Sequence, residues 1–276
     1  MNIGIFYFSA TGITEIISKQ IANTLKREDH AVFLQNIITP KSREKKVDFL
    51  EFDGIFFGFP IFGGRIPIVA EQWLTKLEGK HQKCAMFFTY GGRALEWAHQ
   101  STYYLLTQAH FSVVLSAEFI GKHSFNVAMG WNLAEGRPNA LDLEVAKEFA
   151  LTSISRFQVD SNFEIDLSQF SFHPQKTKET KGKWAKVYPF KSQKECRMCY
   201  LCENECPVDA FDAKLGKANR KCCIACMHCV SICPDHVITV GNLTDLFNNF
   251  IKRLSLTNDV VNAKQSKILA KYPPNS

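Results

Sequence analysis

The sequence predicts an α/β protein: a doubly wound, five-stranded parallel sheet joined to a small, cysteine-rich α+β domain. Three observations predict it. Five apolar runs of strand length, Ile3–Phe8, Ala31–Ile38, Phe52–Phe59, Cys84–Phe88 and Ser112–Phe119, alternate with segments of helical periodicity. Three of these runs end in polar or glycine-rich loops, which gathers the loops at the carboxyl edge of the sheet, where open α/β sheets bind ligands. Eight of the ten cysteines fall into two identical runs between residues 196 and 233.

The first strand ends at Ser9-Ala10-Thr11-Gly12-Ile13-Thr14, and a helical pattern follows with Ile13, Ile16, Ile17 and Ile21 on one face. Strand, short polar loop and helix suit a phosphate: loop amides point at the anion and the helix N-terminus adds its dipole. No lysine closes the loop and there is no G-x-G-x-x-G, so neither a P-loop nor a dinucleotide fold is expected. A single terminal phosphate, as on FMN, fits best; a plainly N-capped helix is the alternative. The third run ends at Pro60-Ile61-Phe62-Gly63-Gly64 and the fourth at Thr89-Tyr90-Gly91-Gly92-Arg93. Their glycines allow close backbone approach to a flat ring. Phe62 and Tyr90 could stack on that ring or pack within their loops. Helical patterns fill Val69–Leu77, Ala94–Ala109 and Leu141–Phe157. Cys84, in a strand, reads as buried filler.

Each cysteine run reads C-x2-C-x2-C-x3-C-P: Cys196, Cys199, Cys202 and Cys206 before Pro207, then Cys223, Cys226, Cys229 and Cys233 before Pro234. That is the bacterial ferredoxin spacing for [4Fe–4S] clusters, in which the fourth cysteine of each run serves the other cluster. One cluster is therefore assigned to Cys196, Cys199, Cys202 and Cys233, the other to Cys223, Cys226, Cys229 and Cys206. Zinc needs only four ligands in differently spaced pairs, and a chain of this size without a leader has no need of disulfides. After each proline comes a short apolar stretch, and the two are expected to pair as small strands that cover the clusters. Cys222 is out of register and reads as a bystander thiol, and His228, inside the second run, as a neighbour that tunes its cluster.

At 276 residues, with 46% hydrophobic and 22% charged residues, the chain has ordinary globular composition. The expected domains are 1–157, a linker 158–190, the cysteine domain 191–241 and a helical extension 242–276. That extension carries an amphipathic stripe of Leu243, Leu246, Phe247, Phe250, Ile251 and Leu254. No leader opens the chain and no stretch approaches a membrane span, so a cytoplasmic protein is expected. Of the net charge of +6, much falls between Lys176 and Lys194, where seven lysines face one acid, Glu179. This stretch is a solvated linker or a docking patch for an acidic redox partner; no nucleic-acid motif accompanies it.

Taken together, Ser9–Thr14, Pro60–Gly64 and Thr89–Arg93 resemble the three FMN-binding loops of flavodoxins, and with the cysteine runs the chain resembles the flavodoxin–ferredoxin fusion proteins of anaerobic microbes. Gly121-Lys122-His123-Ser124-Phe125 through Gly136-Arg137-Pro138 also looks like that group. The resemblance implies FMN on the three loops, with its phosphate at Ser9–Thr14 and its ring near Pro60–Gly64 and Thr89–Gly92. It departs from the flavodoxin pattern at Ile13, where asparagine is common, and at Phe62, where tyrosine is expected. The function implied is electron transfer between redox partners through two [4Fe–4S] clusters and FMN. The alternative is a reductase of a quinone or nitro compound, with Trp97, His123 and the apolar loop Asn126–Glu135 around an open pocket. Were the cofactors too far apart in one chain, a head-to-tail homodimer could close the gap.

Overall fold

The computed structural model describes residues 1–161, 163, 165, 167 and 187–269. Most of the lysine-rich stretch, from Lys176 to Lys186, lies outside the described residues.

The N-terminal part alternates as expected: β1 (Asn2–Tyr7), α1 (Ile13–Arg27), β2 (Ala31–Asn36), a short α2 (Pro40–Glu44), β3 (Gly54–Pro60), α3 (Ile68–Leu74), β4 (Lys83–Tyr90), α4 (Ala98–Gln108), β5 (Ser112–Ile120) and α5 (Ala140–Gln158). β1 to β5 are parallel, in the order β5-β4-β3-β1-β2. The order reverses between β1 and β3, and such a switch point opens the crevice in which doubly wound sheets bind ligands.

Strands covered on both faces read as continuous apolar runs, and β3 shows why. Phe57 and Phe59 enter one core with Phe6, Phe8, Trp73 and Phe88, while Phe56 enters the core on the opposite face with Ile17, Phe87 and Phe149. Gly58 is required by close approach, because a Cβ there would lie 2.1 Å from the Phe87 ring. α1 buries Thr14, Ile17, Ser18, Ile21 and Leu25, whereas Ile16, expected on that face, is 43% exposed.

The five-strand expectation needs correction. The sheet has six strands, because β10 (Lys267–Leu269) pairs antiparallel with β5, Ile268 opposite Ala117. The C-terminal extension thus holds α8 (Thr244–Leu254), α9 (Asn258–Asn262) and a strand. Parallel pairing demands a crossover; a segment that reaches the sheet at its carboxyl edge, where Ser266 meets Ile120, runs back along β5 antiparallel.

The cysteine-rich part carries β6 (Phe190–Lys191), α6 (Leu201–Asn204), β7 (Phe211–Asp212), β8 (Lys217–Ala218), α7 (His228–Ser231) and β9 (Ile238–Thr239). The small strands after the prolines form, but each pairs with another partner: β7 with β8, and β9 with β6. The sequence repeat is also a backbone repeat. Met198, Tyr200 and Asp209 have positive φ, and so do Ala225, Met227 and His236 at the same places in the second run.

Candidate functional site

Three loops meet at the carboxyl edge, since Tyr7 of β1 stands opposite Gly58 of β3, and Pro60 opposite Thr89 of β4. They wall a cleft of about 410 Å³, counting the part open to solvent. From the first loop Ser9, Ala10, Thr11, Ile13 and Thr14 line it; from the second, Pro60, Ile61 and Phe62; from the third, Thr89, Tyr90 and Gly91. Gly12, Gly63, Gly64 and Gly92 shape the loops without lining the cleft. Gly12 takes φ 87° at the start of α1, the left-handed region where a side chain is disfavoured. Ser9 and Thr14 are buried; the Glu15 N–H donates to Ser9 Oγ at 3.1 Å, and the Thr14 and Thr89 hydroxyls meet at 2.8 Å, joining the first and third loops. The second loop turns on the Phe62 N–H donating to the Arg65 carbonyl, while Arg65 grips Glu71 with two bonds of 2.7 Å.

A fourth loop also lines the cleft, through Lys122, His123 and Ser124. These residues follow β5 and so share the carboxyl edge. His123 Nδ1 accepts from the Phe125 N–H at 3.1 Å, which assigns the proton of the neutral ring to Nε2. Burial, and then the nearby Arg93 charge, push His123 down to about 4. Trp97 does not line the cleft; its backbone N–H donates to the Gly64 carbonyl. The Tyr90 hydroxyl is held above its usual range by burial and by Glu118 on β5.

The loop Asn126–Glu135 packs only in part: Val127 and Met129 are exposed, while its other two large apolar side chains are buried. Trp131 is buried among Phe125, Phe247 and Phe250, with ring centroids 5.1 to 5.2 Å away, and Leu133 is fully buried.

Cys196, Cys199, Cys202 and Cys233 line one cavity of about 360 Å³, together with Met198, Leu201 and Ile238. Cys206, from the first run, lies close enough to Cys223, Cys226 and Cys229 to affect their ionisation. The left-handed turns aim backbone N–H groups at sulfur: Met198 at Cys196, Ala225 at Cys223 and Ala210 at Cys206, at 3.2 to 3.4 Å. Burial pushes the Cys202 thiol up to about 11 and Cys226 up to about 12, so thiolates there need a strong local cation. Among the described residues, no three His, Cys, Asp or Glu side chains gather closely enough to hold a single metal ion. Cys222 is exposed and Cys84 fully buried.

The two runs are not equivalent in position. Cys199 is exposed, whereas Cys226 and Cys229, the second and third cysteines of the second run, are buried. Cys226 belongs to the sheet-side core with Phe8, Ala10 and Phe59, and Ile224 packs against it. His228 Nδ1 donates to the Ala10 carbonyl at 2.8 Å, and Arg43 Nη2 donates to the Pro207 carbonyl at 2.6 Å. The second run therefore sits on the first loop of the cleft within one chain.

No family model and no curated protein matches the chain. Solved structures match its N-terminal half. An archaeal flavodoxin aligns over 58% of this chain and 100% of its own, with 15% identity and a TM-score of 0.44. Oxidised flavodoxin 2 from Bacillus cereus aligns over 56% and 99%, with 24% identity and a TM-score of 0.43. The rubredoxin oxygen:oxidoreductase of Desulfovibrio gigas aligns over 57% and 36%, with 16% identity and a TM-score of 0.42. Among the described residues no helix is long and apolar enough to cross a membrane.

Proposed function

We propose that the chain is an iron–sulfur flavoprotein that transfers electrons between redox protein partners, with FMN in the cleft and two [4Fe–4S] clusters on the cysteine runs. The observation that carries this reading is the seating of the second cysteine run on the cleft's first loop through His228 and Ala10. A carrier needs its centres close, and this contact brings two candidate cofactor sites together in one buried core.

The residues suit the groups. Gly12, Thr11 and the start of α1 offer amides and hydroxyls to a phosphate. Ile61, Phe62 and Tyr90 offer apolar surface to a ring. Cys196, Cys199, Cys202 and Cys233 surround a space rather than a point, as a cube requires. FMN exchanges one or two electrons and each cluster one, which lets such a protein join one-electron and two-electron chemistry. The chain's own part is to exclude water, direct N–H groups at sulfur and hold the cysteine domain on the sheet.

A reductase reading has His123 at the cleft in its favour. The packing of Trp131 and Leu133 tells against the open pocket it needs. A cytoplasmic location and a partner acidic enough to meet the lysine-rich stretch complete the proposal.

Cofactor content tests it. Protein purified without oxygen should carry about one FMN and about eight irons with matching sulfide per chain. Zinc in place of iron, or iron without flavin, would overturn it.

A further inference from the structure

Lys264, between α9 and β10, sends its ammonium to the third loop of the cleft, donating to the Gly92 carbonyl at 2.6 Å and the Arg93 carbonyl at 3.2 Å. The segment that carries it is pinned on both sides. Val261 is fully buried against Gly92, where a Cβ would come within 2.3 Å of it. Ser266 accepts from the Ile120 N–H at 3.0 Å and donates to Asp142 at 2.6 Å. Arg137 reaches the Asn262 and Lys264 carbonyls. A flexible lysine so constrained makes two charge-assisted bonds to one loop.

The consequence is conformational. In a trans peptide the C=O and the following N–H point in opposite directions. With the Gly92 and Arg93 carbonyls drawn to Lys264, the N–H groups of Arg93 and Ala94 are turned away from it. We propose that Lys264 is a positioning residue for the flavin: from behind the cleft it fixes the backbone of the third loop, whose Thr89, Tyr90 and Gly91 line the site. This rests on the FMN reading above. It extends that reading from the three sheet loops to a residue about 170 positions downstream of the loop it holds.

The test is a flavin titration of the full chain, purified without oxygen with its clusters in place and stripped of flavin by dialysis. FMN is added back and binding is followed by quenching of its fluorescence. Lys264→Met keeps the apolar stem but loses the charge and donors. It is expected to raise the FMN Kd roughly tenfold or more, the size of one or two such bonds, and Lys264→Arg should restore most of the affinity. Tail packing alone would leave Lys264→Met close to wild type, and that result overturns the proposal while FMN binding stands. A wild-type chain that binds no FMN overturns both. If Lys264→Met does not fold, Lys264→Gln, which keeps one neutral donor, should show an intermediate Kd; a Kd equal to wild type would overturn the proposal equally.

Discussion

His228 donates from Nδ1 to the carbonyl of Ala10 across 218 positions of sequence, at 2.8 Å and out of solvent. One residue stands between two cysteines of the second run; the other belongs to the loop that opens the cleft. Burial holds His228 below its ordinary histidine range, while the Ala10 contact partly opposes this; the Nδ1 proton is committed to Ala10. The bond fastens two loops that sequence separates.

Loss of that bond should loosen both loops together. In His228→Leu, amides of Ser9–Thr14 and of Ile224–Cys229 are expected to exchange with deuterium roughly ten- to a hundredfold faster, as the loss of a buried hydrogen bond of about 1–3 kcal/mol implies. Faster exchange in the cysteine loop alone would show that the contact does not couple them.

Crosswise ligation makes the fourth cysteines informative. Cys233→Ala should damage the centre held by Cys196, Cys199 and Cys202, and leave the one at Cys223, Cys226 and Cys229. Iron content should fall by roughly half. Paramagnetic resonance of the reduced variant should lose the signal of the more exposed centre. Loss of the buried centre instead would mean that each run serves its own cluster.

Cys222 is exposed and Cys84 fully buried, its thiol pushed far up by burial. In the loaded protein a thiol reagent should label Cys222 rapidly and Cys84 only on unfolding. Cys222→Ser should leave the iron content unchanged, and a drop in iron would make it a ligand.

His123 sets a pH dependence with a defined sign. Its folded value lies at about 4, below the ordinary value near 6.5. Between these values the unfolded chain binds more protons, so stability is full above about 6.5 and declines as pH falls towards 4, by roughly 1–3 kcal/mol. His123→Asn keeps an acceptor for the Phe125 N–H and does not titrate there. Its thermal midpoint should fall less than wild type between those pH values; parallel curves would show that His123 is not the group responsible.

Much of the first five strands was legible because a sheet buried on both faces leaves long apolar runs, and Phe56 and Phe57 show one run feeding two cores. The cysteine repeat announced itself by spacing, and its left-handed positions Tyr200 and Met227 followed the same repeat. What stayed hidden depends on contacts distant in sequence. Nothing local marks Lys267–Leu269 as a sheet edge, because three residues carry too little pattern. Lys264 reads as an ordinary surface lysine until Val261 is packed on Gly92. Ile16 falls outside the buried face of α1 because Thr14 and Ser18, polar by type, are the residues buried there.

The most direct test of the account is an anaerobic redox titration of the loaded chain, followed together by visible absorption and electron paramagnetic resonance. Flavin bleaching and two magnetically interacting cluster signals are expected from one polypeptide, with His228→Leu altering the flavin and the buried centre while sparing the exposed one. A chain that shows no cluster signal, or clusters and flavin that titrate without influence on each other and are indifferent to His228, would contradict it.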